Sequence, residues 1–258
     1  MDLGLKSKIV LITGGSKGIG LACAKLFSEE GAAVAINSRS DSNLAEAKKC
    51  LSTVLAVKGD VSDSHEATRV VDEVEARLGP VDILVNCAGA AKRADPDSLT
   101  PELWKQAMES KFLSYINVID PLIKRMAQRG SGVIINVIGI GGKIPSPLHL
   151  PGGAANASLM LATAGLATAY GPQGVRVVGV NPGMTATDLM RTRLEAEASM
   201  VGRPAADLEQ DRVQKIPLGR MASAEEIAST VVFLSSRHAG YITGANISVD
   251  GGSSGLIV

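Results

Sequence analysis

The chain has 258 residues, of which 45% are hydrophobic, enough to bury a substantial core, so a disordered chain is excluded. Its 26 Lys+Arg balance its 26 Asp+Glu, so no global field draws it to nucleic acid or to a membrane surface, and neither partner is expected. Cys23, Cys50 and Cys87 match no zinc spacing and are odd in number, and neither Met1 to Lys8 nor the Val133 to Ile140 run has signal-peptide or membrane-span character; a cytoplasmic protein without disulfides or metal is expected.

Lys8 to Thr13 is a short β-branched run, Gly14 to Gly18 a turn, and Ile19 to Phe27 has helical spacing ended by Gly31. The alternation continues with strand Val34 to Asn37, a helix near Leu44 to Leu51, strand Leu55 to Asp60, a helix near His65 to Leu78 and strand Ile83 to Asn86. Helix Pro101 to Gln128, strand Val133 to Ile138, a helix near Ala154 to Ala169, strand Val175 to Val180, helix Ala224 to Leu234 and strand Asn246 to Val249 complete it. Strands separated by helices predict right-handed crossovers and one α/β domain over residues 1–258, a doubly wound parallel sheet of about seven strands with helices on both faces. The one long stretch without a strand, residues 185–220, follows the carboxyl end of a strand, where open α/β sheets bind ligands. It reads either as a substrate-side lid or as surface helices.

The turn Thr13-Gly14-Gly15-Ser16-Lys17-Gly18-Ile19-Gly20 lies between the first strand and the first helix. Glycines there let backbone N–H groups approach a phosphate, and the helix N-terminus supplies favourable partial charge. A plain strand-to-helix turn is the alternative. Three further features fall at strand ends where a dinucleotide would lie: Gly59-Asp60-Val61, Asn86-Cys87-Ala88-Gly89 and Asn181-Pro182-Gly183.

In these motifs the sequence resembles the short-chain dehydrogenase/reductase family over nearly its whole length, and the resemblance implies a Rossmann-type fold binding a nicotinamide dinucleotide. The family's glycine motif falls on Thr13, Gly14, Gly18 and Gly20, its adenine-contacting acid on Asp60, its N-A-G motif on Asn86, Ala88 and Gly89, and its nicotinamide-side segment on Pro182 to Thr187, including Gly183 and Thr185. After the second strand, where NAD binders place a carboxylate, stands Asn37-Ser38-Arg39, and Lys17 lies inside the glycine turn. Two cations and no acid favour NADP(H) over NAD(H), because a 2′-phosphate can be engaged by the Arg39 fork and the Lys17 charge. Arg39 as a solvated loop residue is the alternative.

The family's proton-transfer residues, Ser, Tyr, Lys and a helix-borne Asn, are not matched. Aligning Val133 to Gly142 with the family's fifth strand puts the serine position at Gly139, the tyrosine at Gly152 and the lysine at Asn156, while the asparagine position, seven residues beyond Trp104, is Lys111. Lys and Asn therefore look exchanged between the two helices. Lys111 either brings its ammonium near the nicotinamide ribose or snorkels to solvent. Tyr115 lies one turn further, where a nearby ammonium would lower a phenol's pKa, or else packs at a subunit interface. His149 precedes the vacated tyrosine position and either titrates near neutrality there or is a surface loop histidine. Gly139, Gly141, Gly142, Gly152, Gly153 and Ala154 leave either a larger cavity or a collapsed one beside the apolar, proline-stiffened Pro145 to Pro151 rim.

The expectation is an NADP(H)-dependent oxidoreductase acting on a small-molecule carbonyl or alcohol, with Lys111, Asn156, Tyr115 and His149 as candidate catalytic residues. The alternative is an inactive cofactor-binding or scaffold subunit paired with an active homologue. The resemblance implies a homodimer or homotetramer.

Overall fold

Strand β1 (Ile9–Thr13) sends Val10 and Ile12 into one hydrophobic core and Leu11 into another on the opposite face. Covered on both sides, it reads in sequence as an unbroken apolar run. The computed structural model describes residues 2–255. Helix α1 (Gly18–Glu29) leads to β2 (Ala33–Ser38), α2 (Asp41–Cys50), β3 (Leu55–Lys58), α3 (Ser64–Leu78) and β4 (Ile83–Asn86). Then come α4 (Pro101–Ala107), a π-helical turn over Met108–Leu113, α5 (Ser114–Arg129), β5 (Gly132–Val137), α6 (Leu150–Tyr170) and β6 (Val175–Pro182). Helices α7 (Asp188–Val201), α8 (Ala205–Val213) and α9 (Ala224–Ser235) precede the last strand, β7 (Asn246–Val249).

The seven strands form one sheet in the order β3-β2-β1-β4-β5-β6-β7, and every pair is parallel. Residues of α1, α2 and α9 fill the core on one face, and residues of α3, α5 and α6 fill it on the other. The chain winds outward from β1 in one direction and from β4 in the other. The register Thr13↔Asn86 therefore marks the switch point, above which connections diverge and leave a crevice.

Three predicted elements differ. The helix predicted over Pro101 to Gln128 is interrupted by the π turn, where the Ser114 hydroxyl donates to the carbonyls of Ser110 (3.0 Å) and Lys111 (3.1 Å) and satisfies groups that the widened turn loosens. Helix α6 begins at Leu150 rather than near Ala154, because Pro151 stands in its first turn, where a missing N–H costs nothing. Residues 185–220 hold two helices, α7 and α8, docked by a buried carboxylate: Glu197 of α7 pairs with Arg93, in the loop after β4, and with Arg212 of α8. The β-branched, glycine-punctuated strands otherwise lie within two residues of their expected bounds.

Candidate active site

The first cleft, about 420 Å³, opens above the switch point. Helices α2, α3, α4 and α9 are each capped by a side chain, those of Ser40, Asp63, Thr100 and Ser223, whereas α1 is preceded by Lys17, which makes no side-chain cap. Its first-turn N–H groups thus keep their hydrogen-bonding capacity toward the cleft. A Cβ on Gly20 would overlap the Gly14 carbonyl oxygen, so only glycine lets the turn lie flat against the helix. Gly14, Lys17, Gly18, Ile19, Gly20 and Arg39 line the cleft from one side; Ala88, Gly89, Pro182, Gly183, Thr185 and Thr187 line it from the other.

Arg39, with 75% of its side chain exposed, stands 3.6 Å from the Asp60 carboxylate across a side recess that Val61 also lines. Burial pushes the Asp60 carboxyl up, but hydrogen bonds from the Ser62 hydroxyl (2.7 Å) and N–H (3.0 Å), with Arg39, outweigh it and hold the group below its ordinary value. Two expected contacts turn inward. Asn86 is fully buried, accepting from the Thr13 hydroxyl (3.3 Å) and donating to Asn136 (3.0 Å), which donates to Thr163 (3.0 Å). Thr13 also accepts from the backbone N–H groups of Cys87 and Ala88, at 3.2 Å each, so this chain shapes the cleft floor rather than presenting side chains to it. Ser16 is likewise buried.

A second cavity, about 520 Å³, adjoins the first, and both are lined by Lys111, Gly89 and Gly139. The glycine-rich segment therefore leaves open space rather than a collapsed wall. Lys111 sits on the π turn, 7% exposed, and its Nζ donates to the Tyr115 hydroxyl (2.7 Å) and the Val137 carbonyl (3.2 Å). Burial foremost, and repulsion from Arg193, bring its pKa down from 10.5 to about 7 against an opposing effect of Cys87. It does not snorkel to solvent.

Tyr115 overturns both of its expected roles. It is wholly buried inside the fold, not at a subunit face, and its hydroxyl donates to the Val137 carbonyl while accepting from Lys111. Burial foremost, reinforced by Cys87, pushes the phenol's pKa well up, the opposite of the predicted lowering. His149 is also corrected: it lies in a 3₁₀ turn at the cavity wall, and burial, reinforced by Arg193, Arg93 and Lys111, lowers its pKa from 6.5 to about 4. Its ring covers Gly152, where a Cβ would stand 2.7 Å from Nδ1. Asn156, on α6, is buried and lines the same cavity as Lys111.

Sequence reading missed Arg93, Arg193, Arg212 and Lys215, which line this cavity, and Glu197, which holds two of them. Spacing alone flags only Arg193 and Glu197, one turn apart on α7. Among the described residues no group of three or more His, Cys, Asp or Glu could hold a metal ion, and no helix is long and apolar enough to cross a membrane.

Residues 14–254 match the family model described as enoyl-(acyl carrier protein) reductase. The chain is 35% identical over 246 residues to the acetoacetyl-CoA reductase of Rhizobium meliloti (strain 1021), covering 95% of this chain and 98% of that protein. It superimposes with a TM-score of 0.92 on the L-sorbose reductase of Gluconobacter frateurii complexed with NADPH and L-sorbose, at 32% identity and full coverage (100%) of both chains. A single-substitution variant of actinorhodin polyketide ketoreductase with NADPH gives a TM-score of 0.93 at 27% identity, covering 97% of this chain and 98% of that one.

Proposed function

The chain belongs to the short-chain dehydrogenase/reductase family of oxidoreductases, and from that premise we propose that it reduces a small-molecule carbonyl with NADP(H), using Lys111 as the proton donor. The observation that carries this reading is the burial of Lys111 where the two clefts meet, with its proton affinity brought near neutrality. The first cleft suits a dinucleotide: its uncapped helix start and glycine floor fit a diphosphate, and Arg39 and Lys17 offer charge to a 2′-phosphate. When bound, a reduced nicotinamide supplies a hydride to the carbonyl carbon.

The carbonyl oxygen then needs one proton to become an alcohol. Lys111, as an ammonium, has three N–H donors, two of them engaged by Tyr115 and Val137; the third serves the substrate oxygen. Giving up that proton leaves a neutral amine, which burial favours, and solvent reprotonates it through the cavity. Tyr115 is a positioning residue: its hydroxyl, pinned to Val137, fixes where the amine points. Asn156 offers its amide across the cavity, and His149, neutral at physiological pH, offers a ring nitrogen without charge. Residues 185–220 act as a substrate-side lid whose helices contribute Met190, Arg193 and Arg212 to the cavity wall. Leu113, Leu161, Phe233 and Tyr241, left exposed, support self-association as a homodimer or homotetramer.

Deuteride transfer from 4-labelled NADPH to a carbonyl panel tests the reading. Labelled alcohol is expected from the native protein, and Lys111→Met should lower turnover ~100- to 10,000-fold while NADPH still binds. Unchanged turnover in that variant removes Lys111 from the chemistry. If NADPH binds and no label moves to any panel member, catalysis by this chain is disproved.

A further inference from the structure

The second cavity is lined by five cationic side chains, those of Arg93, Lys111, Arg193, Arg212 and Lys215, and by no carboxylate among the described residues. The neighbouring Glu197 spends its single negative charge on Arg93 and Arg212, one oxygen to each, and none of it reaches Arg193 or Lys215. Arg193, one helical turn before Glu197 on α7, is half-buried, and its side chain has no ion pair and no hydrogen bond among the described residues. A guanidinium that has lost hydration and gained no counter-charge is costly unless an anion completes it. Ile138, Ile140, Ile144, Met184 and Met190 make much of the remaining wall apolar, with Ser146, His149, Asn156 and Ser253 among them as neutral polar groups, so a charge-to-charge contact here is screened less than in open water.

We infer that the substrate of this cavity carries an anionic group, a carboxylate or a phosphate, and that Arg193 is the residue that binds it. The inference rests on the reading that the adjoining cleft holds NADP(H), and it names the substrate class of that same site. Arg193 lines both cavities, which puts a bound anion beside Lys111 and the cofactor cleft rather than at the outer mouth. The same charge repels protons from Lys111 and His149. An anion that neutralises Arg193 removes this lesser of the two effects that lower the proton affinity of Lys111, while burial, the larger one, remains.

Calorimetry with matched pairs tests this: acetoacetate against ethyl acetoacetate, and dihydroxyacetone phosphate against dihydroxyacetone, each titrated with and without NADP+. At least one anionic member is expected to bind tenfold or more tighter than its neutral partner, with the advantage shrinking as salt rises; which pair shows it separates carboxylate from phosphate. Arg193→Gln should abolish the advantage and leave NADP+ affinity within twofold, and Arg193→Lys should keep part of it. Neutral partners binding as tightly as the anions, no anion binding up to ~10 mM to folded protein, or a tenfold loss of NADP+ affinity in Arg193→Gln would each overturn it, the last by assigning Arg193 to the cofactor. Absence of NADP+ binding alone strikes the cofactor reading, since the anion titrations without NADP+ still report on Arg193.

Discussion

The imidazole of His149 lies against the α-carbon of Gly152, so close that a methyl group there would stand 2.5 Å from Nε2 and 2.7 Å from Nδ1. The ring thus fills space that any larger residue at position 152 would need. Gly152→Ala should destabilise the fold by ~1–3 kcal/mol through overpacking, while Gly152→Ala in a His149→Ala background should be neutral or stabilising, because alanine favours helix α6. Urea denaturation of the four proteins gives the coupling; additive effects would show that the ring does not occupy this space.

Two buried bases set the pH dependence of stability. Lys111 has a folded-state pKa of about 7 against 10.5 when exposed, so between those values the unfolded chain binds more protons and stability rises with pH. Below about 7 both states are charged and that gain is gone. His149 adds a rise from about 4 to 6.5 by the same sign. Lys111→Met should therefore remove a slope of up to ~1.4 kcal/mol per pH unit from the upper interval and leave the lower one. Denaturation series from pH 4 to 10 check this, and equal upper slopes in the two proteins would contradict the burial of a titrating Lys111.

On the proposed NADP(H) reading, Arg39 is expected to govern the choice of dinucleotide. Arg39→Ala should weaken NADPH ~10- to 100-fold, the worth of a charge-assisted hydrogen bond, and change NADH affinity little. Asp60, 3.6 Å from Arg39, keeps its hydrogen bonds from Ser62 in that variant. Fluorescence titration with both nucleotides reads the ratio; equal losses for the two would show that Arg39 does not sense the 2′-phosphate.

Glu197 ties the inserted helices to the loop after β4. Glu197→Gln leaves the half-buried Arg93 and Arg212 without their carboxylate and should cost ~1–3 kcal/mol. A shift in thermal midpoint of the cofactor-free protein measures it. A loss below ~1 kcal/mol would mean that α7 and α8 dock by packing alone.

Much of the fold was legible in the sequence because its causes are local. The β-branched runs, the glycine turn before α1 and the glycine after helices mark strand, turn and stop within a few residues of one another, and their alternation admits essentially one doubly wound sheet. The same locality singled out Lys111, Gly139, Gly152 and Asn156 as positions to compare with the family resemblance. Proton affinities were not legible, since they depend on what encloses a group: Tyr115 and Lys111 are neighbours on one helix, yet burial between α5 and β5, not their mutual spacing, sets both. Nor was the cationic cavity, whose arginines come from a loop and two helices, two of them meeting at Glu197, 104 residues from Arg93. The sequence by itself determined the sheet and the glycine turn at the switch point; only the tertiary structure decided which charges are brought together, because desolvation and unpaired charge arise from packing distant segments around a common cavity.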